Sequence, residues 1–184
     1  MRNVVAHLFI SLDGVVEAPN QWQFDNFDED MEAAMGSSIL QLDTVLLGRV
    51  TYEEWEPYWP TSSNEPFAGF INSTPKLVVS TTLDKVAWGQ LEAPGLIKGN
   101  LVEQITELKR QPGETIGVAG SPTLVRSLLQ NDLLNELSLA VHPVVVGKGK
   151  RLFDDSGELK RMKLIASTTT RTGVAMLTYQ PRLS

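Results

Sequence analysis

The sequence predicts an α/β protein: a three-layer α/β/α sandwich whose mixed, mainly parallel sheet gains antiparallel strands at its C-terminal end. Two observations predict it. Through the first two thirds of the 184 residues, short apolar runs of strand length alternate with helical patterns, which implies parallel pairing with helices on both faces. In the last third strand follows strand, which implies antiparallel strands added at one edge. No repeat, low-complexity tract or linker interrupts the chain, so residues 1–184 read as a single domain, long enough to bury a core.

Residues 4–12, VVAHLFISL, form a nearly continuous apolar run and read as a buried first strand. Turn residues and interleaved aromatics follow in DGVVEAPNQWQFDNF (13–27). A helix begins at Asp28 and extends to about Gln41, acidic in its first turn as the helix dipole favours. Met31, Ala34, Met35, Ile39 and Leu42 fall near helical spacing and give it an apolar face for the sheet. TVLLG (44–48) is the second strand, and Thr51 to Trp55 a short helix. The loop EPYWPTSSNEP is rich in proline and aromatics. KLVVST (76–81) is a third strand, and residues 84–99 are irregular with room for one short strand.

LVEQITELKRQ (101–111) is amphipathic and helical, ended by Pro112-Gly113. ETIGVAG (114–120) is a strand and SPTLVRSLLQN a helix. ELSLAVHPVVVG (136–147) reads as one long strand before Gly-Lys-Gly-Lys. MKLIASTTTRTGVAMLTYQP reads as a hairpin turning around Arg171 to Gly173.

Composition removes whole classes of chemistry. With no cysteine, disulfides, thiolate nucleophiles and cysteine metal sites are excluded. Two histidines, His7 and His142, form no close pair, so no transition-metal site is expected; both read as satisfied structural residues. A net charge of −6 argues against nucleic acid as the main partner, although a few local donors still suffice for an anionic cofactor. No apolar run approaches the ~20 residues of a membrane span. The N-terminal stretch alternates and breaks at Asp13-Gly14 without a cleavage signature, so the protein reads as cytoplasmic.

Ligands of open α/β sheets bind beyond the carboxyl ends of the strands. Three segments leave strands there in small or hydroxyl residues: Gly48-Arg49-Val50-Thr51, Ser80-Thr81-Thr82 and Gly120-Ser121-Pro122-Thr123. In the last, Ser121 suits an N-cap and Pro122 the first helical position, and the following N–H groups make an anion seat or simply a helix start. In the first, Thr51 and Glu54 fit a capping box. Capping leaves Arg49 unexplained, because a cation at a helix N-terminus is unfavourable without an anion nearby; an ion pair with Glu53 is the alternative. Gly147-Lys148-Gly149-Lys150 fits neither a Walker A loop nor the dinucleotide fingerprint, whose third glycine is replaced by Leu152, and reads as a solvated turn. SLDG is either a hairpin turn or a pocket loop with Asp13 as its polar anchor. Trp22 and Phe24, two residues apart, share a face if extended, either for core packing or for stacking on a flat substrate ring.

Taken in order, SLDGVVE, LLGRVTYEEW, LVVSTTL, GVAGSPTLVRSLL and LAVHPVVVGKGKRLF resemble the dihydrofolate reductase superfamily. The closer likeness is to the C-terminal reductase domain of riboflavin biosynthesis and its stand-alone relatives, and it spans nearly the whole chain. The resemblance implies a dihydrofolate-reductase-like fold, NADPH as cofactor, a small heterocyclic substrate such as 5-amino-6-(5-phosphoribosylamino)uracil, and a homodimer. It implies that Gly48, Arg49, Val50 and Thr51 hold cofactor phosphates, with Arg49 at the phosphate of the adenosine ribose. Ser80, Thr81 and Thr82 would flank the adenosine, and Gly120, Ser121, Pro122, Thr123 and Leu124 the pyrophosphate. Val16 would border the nicotinamide.

This chain departs from the family pattern at Gly120-Ser121, where the family has Gly-Gly. Folate reductases carry a carboxylate early on the helix after the first strand. Asp28, Asp30 and Glu32 compete for that role here, with Asp28 and Glu32 sharing a face beside the apolar stripe. Hydride delivery leaves developing negative charge that needs a proton source, for which Asp13, Glu32 and a bound water are candidates. An NADP-binding module without turnover and a dihydrofolate or pterin reductase are the rival readings.

Overall fold

The computed structural model describes residues 1–154 and 157–182. Its elements are β1 (Val4–Ser11), α1 (Glu29–Ile39), β2 (Leu42–Gly48), α2 (Arg49–Trp55), α3 (Phe67–Ser73), β3 (Lys76–Val79), β4 (Gly95–Ile97), α4 (Leu101–Arg110), β5 (Thr115–Val118), α5 (Pro122–Gln130), β6 (Glu136–His142), β7 (Met162–Thr169) and β8 (Ala175–Pro181). The strands form one sheet in the order β4-β3-β2-β5-β1-β6-β8-β7. The six strands from β4 to β6 run parallel. The β7–β8 hairpin joins β6 antiparallel, so the C-terminal strands extend one edge as their unbroken succession implied.

Pleating divides the apolar residues between the two faces. Val4, Ala6, Ile10, Leu46, Ile116 and Val118 meet Ile105 and Leu108 of α4 and Leu124, Val125 and Leu128 of α5 in the main core. On the other face Val45, Leu47 and Val78 pack with Tyr52, Ile71 and Trp88 beneath α2 and α3. The C-terminal end of α1 also lies on this second face, where Ser38 and Gln41 border a small cavity with Val5 and His7 of β1. The result is a three-layer α/β/α sandwich.

Three expectations are corrected. The face of Met31, Ala34, Met35 and Ile39 packs only partly, for Met31 alone is buried on α1, and Leu42 belongs to β2. The strand expected over 136–147 ends at His142, because Pro143 has no N–H for the ladder. The capping box fails as well: α2 starts two residues before Thr51 with Gly48 as its N-cap, which leaves Thr51 buried in the first turn and Glu54 exposed.

Candidate cofactor and substrate site

At the carboxyl edge of the sheet, β3, β2, β5, β1 and β6 deliver Ser80, Gly48, Gly120, Ser11 and His142 in spatial succession. The centre is a near-collision of two turns. Gly48 N–H donates to the Gly120 carbonyl at 2.7 Å, and Ala119 N–H to Leu46 at 3.1 Å. A Cβ on Gly48 would stand 2.5 Å from Ser121 Oγ and 2.7 Å from Ser121 N. A Cβ on Gly120, whose φ is +126°, would stand 2.7 Å from Thr51 Oγ1. Only residues without side chains permit this approach. The peptide between Gly120 and Ser121 is cis.

The starts of α2 and α5 therefore lie side by side. Ser121 is the N-cap of α5 and Pro122 its first residue, yet the Ser121 side chain makes no capping hydrogen bond. The first amides of α5, at Thr123 and Leu124, are left without a side-chain cap, as is the start of α2 at Arg49, Val50 and Thr51. Uncapped N–H groups at a helix start attract anions. Arg49 pairs with Glu53 at 2.7 Å, both side chains close to half exposed. Such a surface pair contributes only about 0.3–0.5 kcal/mol and is readily exchanged for a stronger anion. Beside Gly48, Ser80 Oγ accepts from the amides of Thr82 and Leu83, each at 3.1 Å, and fixes the turn in which Thr81 and Thr82 face solvent.

The loop after β1 is tied to the loop after β6. Asp13 Oδ1 accepts from Ser11 Oγ at 2.6 Å and Val146 N–H at 3.0 Å, while Oδ2 accepts from Gly147 N–H at 2.8 Å. These bonds, led by that from Ser11, lower the Asp13 pKa from 3.8 to about 2. A carboxylate so held ties the β1 loop to the loop after β6 as a polar anchor. Val16 is buried, its N–H donating to Lys150 at 3.0 Å, and Glu17 accepts from Lys150 N–H at 3.2 Å. The Gly-Lys-Gly-Lys run is exposed, as a solvated turn would be, and is also tied to the β1 loop through Lys150.

This pairing brings in cations that sequence reasoning missed. A cleft of about 410 Å³ beside the start of α5 is lined by Pro122, Thr123, Arg126, Lys150, Arg151, Phe153 and Asp154, whose carboxylate pairs with Arg126 at 3.1 Å. Arg126 donates to the carbonyls of Arg151 and Leu152 at 3.2 and 3.1 Å and so docks that segment on α5. The one sequence signal was the basic density of GKGKR, and only tertiary contact places it at a helix start.

On the far side, Trp22 and Phe24 do not share the extended face on which a flat ring could stack. The segment is coiled into two 3₁₀ turns, Pro19–Gln21 and Phe24–Asn26, instead of being extended. Trp22 packs edge-on against His142 at 5.5 Å, whereas Phe24 is largely exposed and meets Phe27. Asp28 is the N-cap of α1, accepting from Met31 N–H at 3.0 Å, and its other oxygen takes Thr172 N–H and Oγ1 at 3.0 and 2.9 Å. Partial desolvation would raise its pKa, but these hydrogen bonds prevail and hold it below the usual carboxylate value. Glu32 is exposed on α1 with no hydrogen-bond partner among the described residues. His142 is wholly buried, and burial lowers its pKa. Neither ring nitrogen has a protein partner among the described residues, so it is structural in position but not satisfied.

The family model of the RibD C-terminal domain matches residues 2–176. The chain belongs to this family. It is 28% identical over 182 residues to the Bacillus subtilis (strain 168) protein YyaP, covering 97% of this chain and 94% of that one. Among solved structures, a riboflavin biosynthesis protein, described as putative, from Shewanella sp. PV-4 superposes with a TM-score of 0.76 at 21% identity, covering 98% and 99% of the two chains. Enterococcus faecalis dihydrofolate reductase, complexed with NADP(H) and RAB-propyl, superposes with a TM-score of 0.61 at 15% identity, covering 97% and 96%. The RibD-family chain thus has the dihydrofolate-reductase-like fold its motifs resembled. No helix among the described residues is long and apolar enough to cross a membrane.

Proposed function

We propose that this RibD-family protein is an NADPH-dependent reductase of a small heterocycle, of the kind exemplified by 5-amino-6-(5-phosphoribosylamino)uracil. The observation that carries the reading is the side-by-side start of α2 and α5, held by Gly48 and Gly120 at a separation no Cβ permits. That cradle suits a dinucleotide: uncapped amides at Thr123 and Leu124 for the pyrophosphate, and Arg49 for the adenosine ribose phosphate. Ser80, Thr81 and Thr82 flank the adenosine, and Val16 borders the nicotinamide ring. The cofactor, when bound, supplies the hydride.

The chain contributes binding, orientation and exclusion of water. Asp13 fixes the loop carrying Val16 against the strand ends, which positions the reacting face. With Asp13 ionised, Glu32 and a water remain as routes for the proton. The lack of a buried protonated acid among the sequence candidates favours a second reading, an NADP-binding module without turnover. Stopped-flow absorbance at the NADPH band, across ribosylaminopyrimidines, pterins and flavins, separates the two. The reductase reading expects oxidation with one of these. Tight NADPH binding with no oxidation by any of them would replace it with the second reading.

The family resemblance extends the proposal to a homodimer. It is supported by edge strand β7, which is exposed along nearly its whole length and presents Leu164 and Ile165 to solvent.

A further inference from the structure

Three buried side-chain polar atoms lack a hydrogen-bond partner among the described residues: both ring nitrogens of His142, and Oε1 of Gln23. Two of the three belong to His142. His142 ends β6 beside Ser11 at the end of β1. Phe9 stands edge-on to its ring at 5.7 Å and Trp22 at 5.5 Å. Gln23 is the chain neighbour of Trp22. Burying unsatisfied polar atoms among aromatic rings is destabilising, and an apolar ring of the same shape would fit His142's place without that penalty. Folding therefore does not account for an imidazole here.

The location does. Only β1 separates β6 from β5, so His142 lies two strand spacings, roughly 10 Å, from the strand that leads to Gly120. His142 therefore lies on the same edge of the sheet as the proposed cradle. Trp22, which covers His142, belongs to no strand or α-helix. It sits between two single 3₁₀ turns, and its indole N–H is held by the Glu17 carbonyl at 3.1 Å. Displacing that ring breaks this one hydrogen bond and its edge-on contact with His142.

We propose that His142 is the polar floor of the substrate pocket, and that Trp22 is the ring a flat heterocycle displaces to reach it. A neutral imidazole offers one N–H and one lone pair, so it pairs with either an N–H or a C=O on the edge of a pyrimidinedione. The inference rests on the proposed reductase reading for its substrate class, but heterocycle binding is measurable without cofactor.

The test is NMR of ¹⁵N-labelled protein titrated with 5,6-diaminouracil, with the His142 ring signals assigned by His142→Phe. The ring nitrogens of His142 and the indole N–H of Trp22 should shift together and saturate. His142→Phe should melt higher than the parent and bind the probe about tenfold more weakly, the loss of one buried hydrogen bond, with NADPH affinity unchanged. Static His142 signals, equal probe affinity in the variant, or a lower melting temperature would each overturn the inference and assign the imidazole to the fold, bridged by a fixed water. Failure of the parent protein to bind NADPH would instead remove the cofactor reading, and the His142 signals would still decide this one.

Discussion

Gly48 and Asp13 show how single residues shape this site without touching the reaction. At Gly48 the constraint is steric: its φ of −71° suits any residue, but the space is filled by the backbone and side chain of Ser121. Gly48→Ala should lose about 1–3 kcal/mol in urea unfolding, the range for overpacking. Adding Ser121→Gly should not restore it, because the Ser121 backbone nitrogen still blocks the new Cβ; full rescue would show the contact to be with the hydroxyl alone. At Asp13 the constraint is electrostatic. Its pKa in the folded chain falls from 3.8 to about 2, so its contribution to stability is complete above pH 4 and disappears as pH drops towards 2. Asp13→Asn should lower the melting temperature at neutral pH and flatten the acid limb between pH 4 and 2. An unchanged acid limb would mean that the carboxylate does not hold the Val146–Gly147 loop.

Among the elements, α1 and the β7–β8 turn depend on each other. Arg171 bonds Asp30 and Glu29, and Thr172 bonds Asp28 and the Asn26 carbonyl. With only Met31 buried, α1 draws much of its attachment from that turn. Thr172→Val should therefore accelerate amide hydrogen exchange over residues 29–32, and an unchanged rate would show that packing alone holds the helix. Strand and helix periods were legible in the sequence because burial imposes them: the alternation of Leu46 with Val45 and Leu47 is that of two covered faces. Boundaries set by local chemistry were legible too, as at Ser121-Pro122. What escaped was long-range. Nothing near Thr51 in sequence says that Gly120 will press against it, and so the capping box looked sufficient. Nothing near Lys150 says that Glu17 and α5 will receive it. His142 was misjudged for the same reason, since whether a buried group finds a partner is decided by residues far along the chain.

On the scale of the whole molecule, the proposed binding of an anionic cofactor by a chain of net charge −6 relies on local donors, which the fold gathers at one edge. Parallel strands bring Arg49, the α5 amides, Lys150 and Arg151 to the same end of the sheet, and the antiparallel hairpin closes the opposite flank. The exposed β7 edge belongs to this scale as well. Ile165→Lys should convert the proposed dimer to monomer in sedimentation velocity, and a monomeric parent protein would contradict the dimer. The central claim is that the juxtaposed starts of α2 and α5 bind NADPH, with Arg49 reading its extra phosphate. Calorimetric titration of the parent and Arg49→Ala with NADPH and NADH tests it most directly. The parent should prefer NADPH and the variant should lose about 1.5–3 kcal/mol for NADPH alone, the range for a hydrogen bond to a charged group. Equal losses for both cofactors would contradict the role given to Arg49, and no binding of either would contradict the cradle itself.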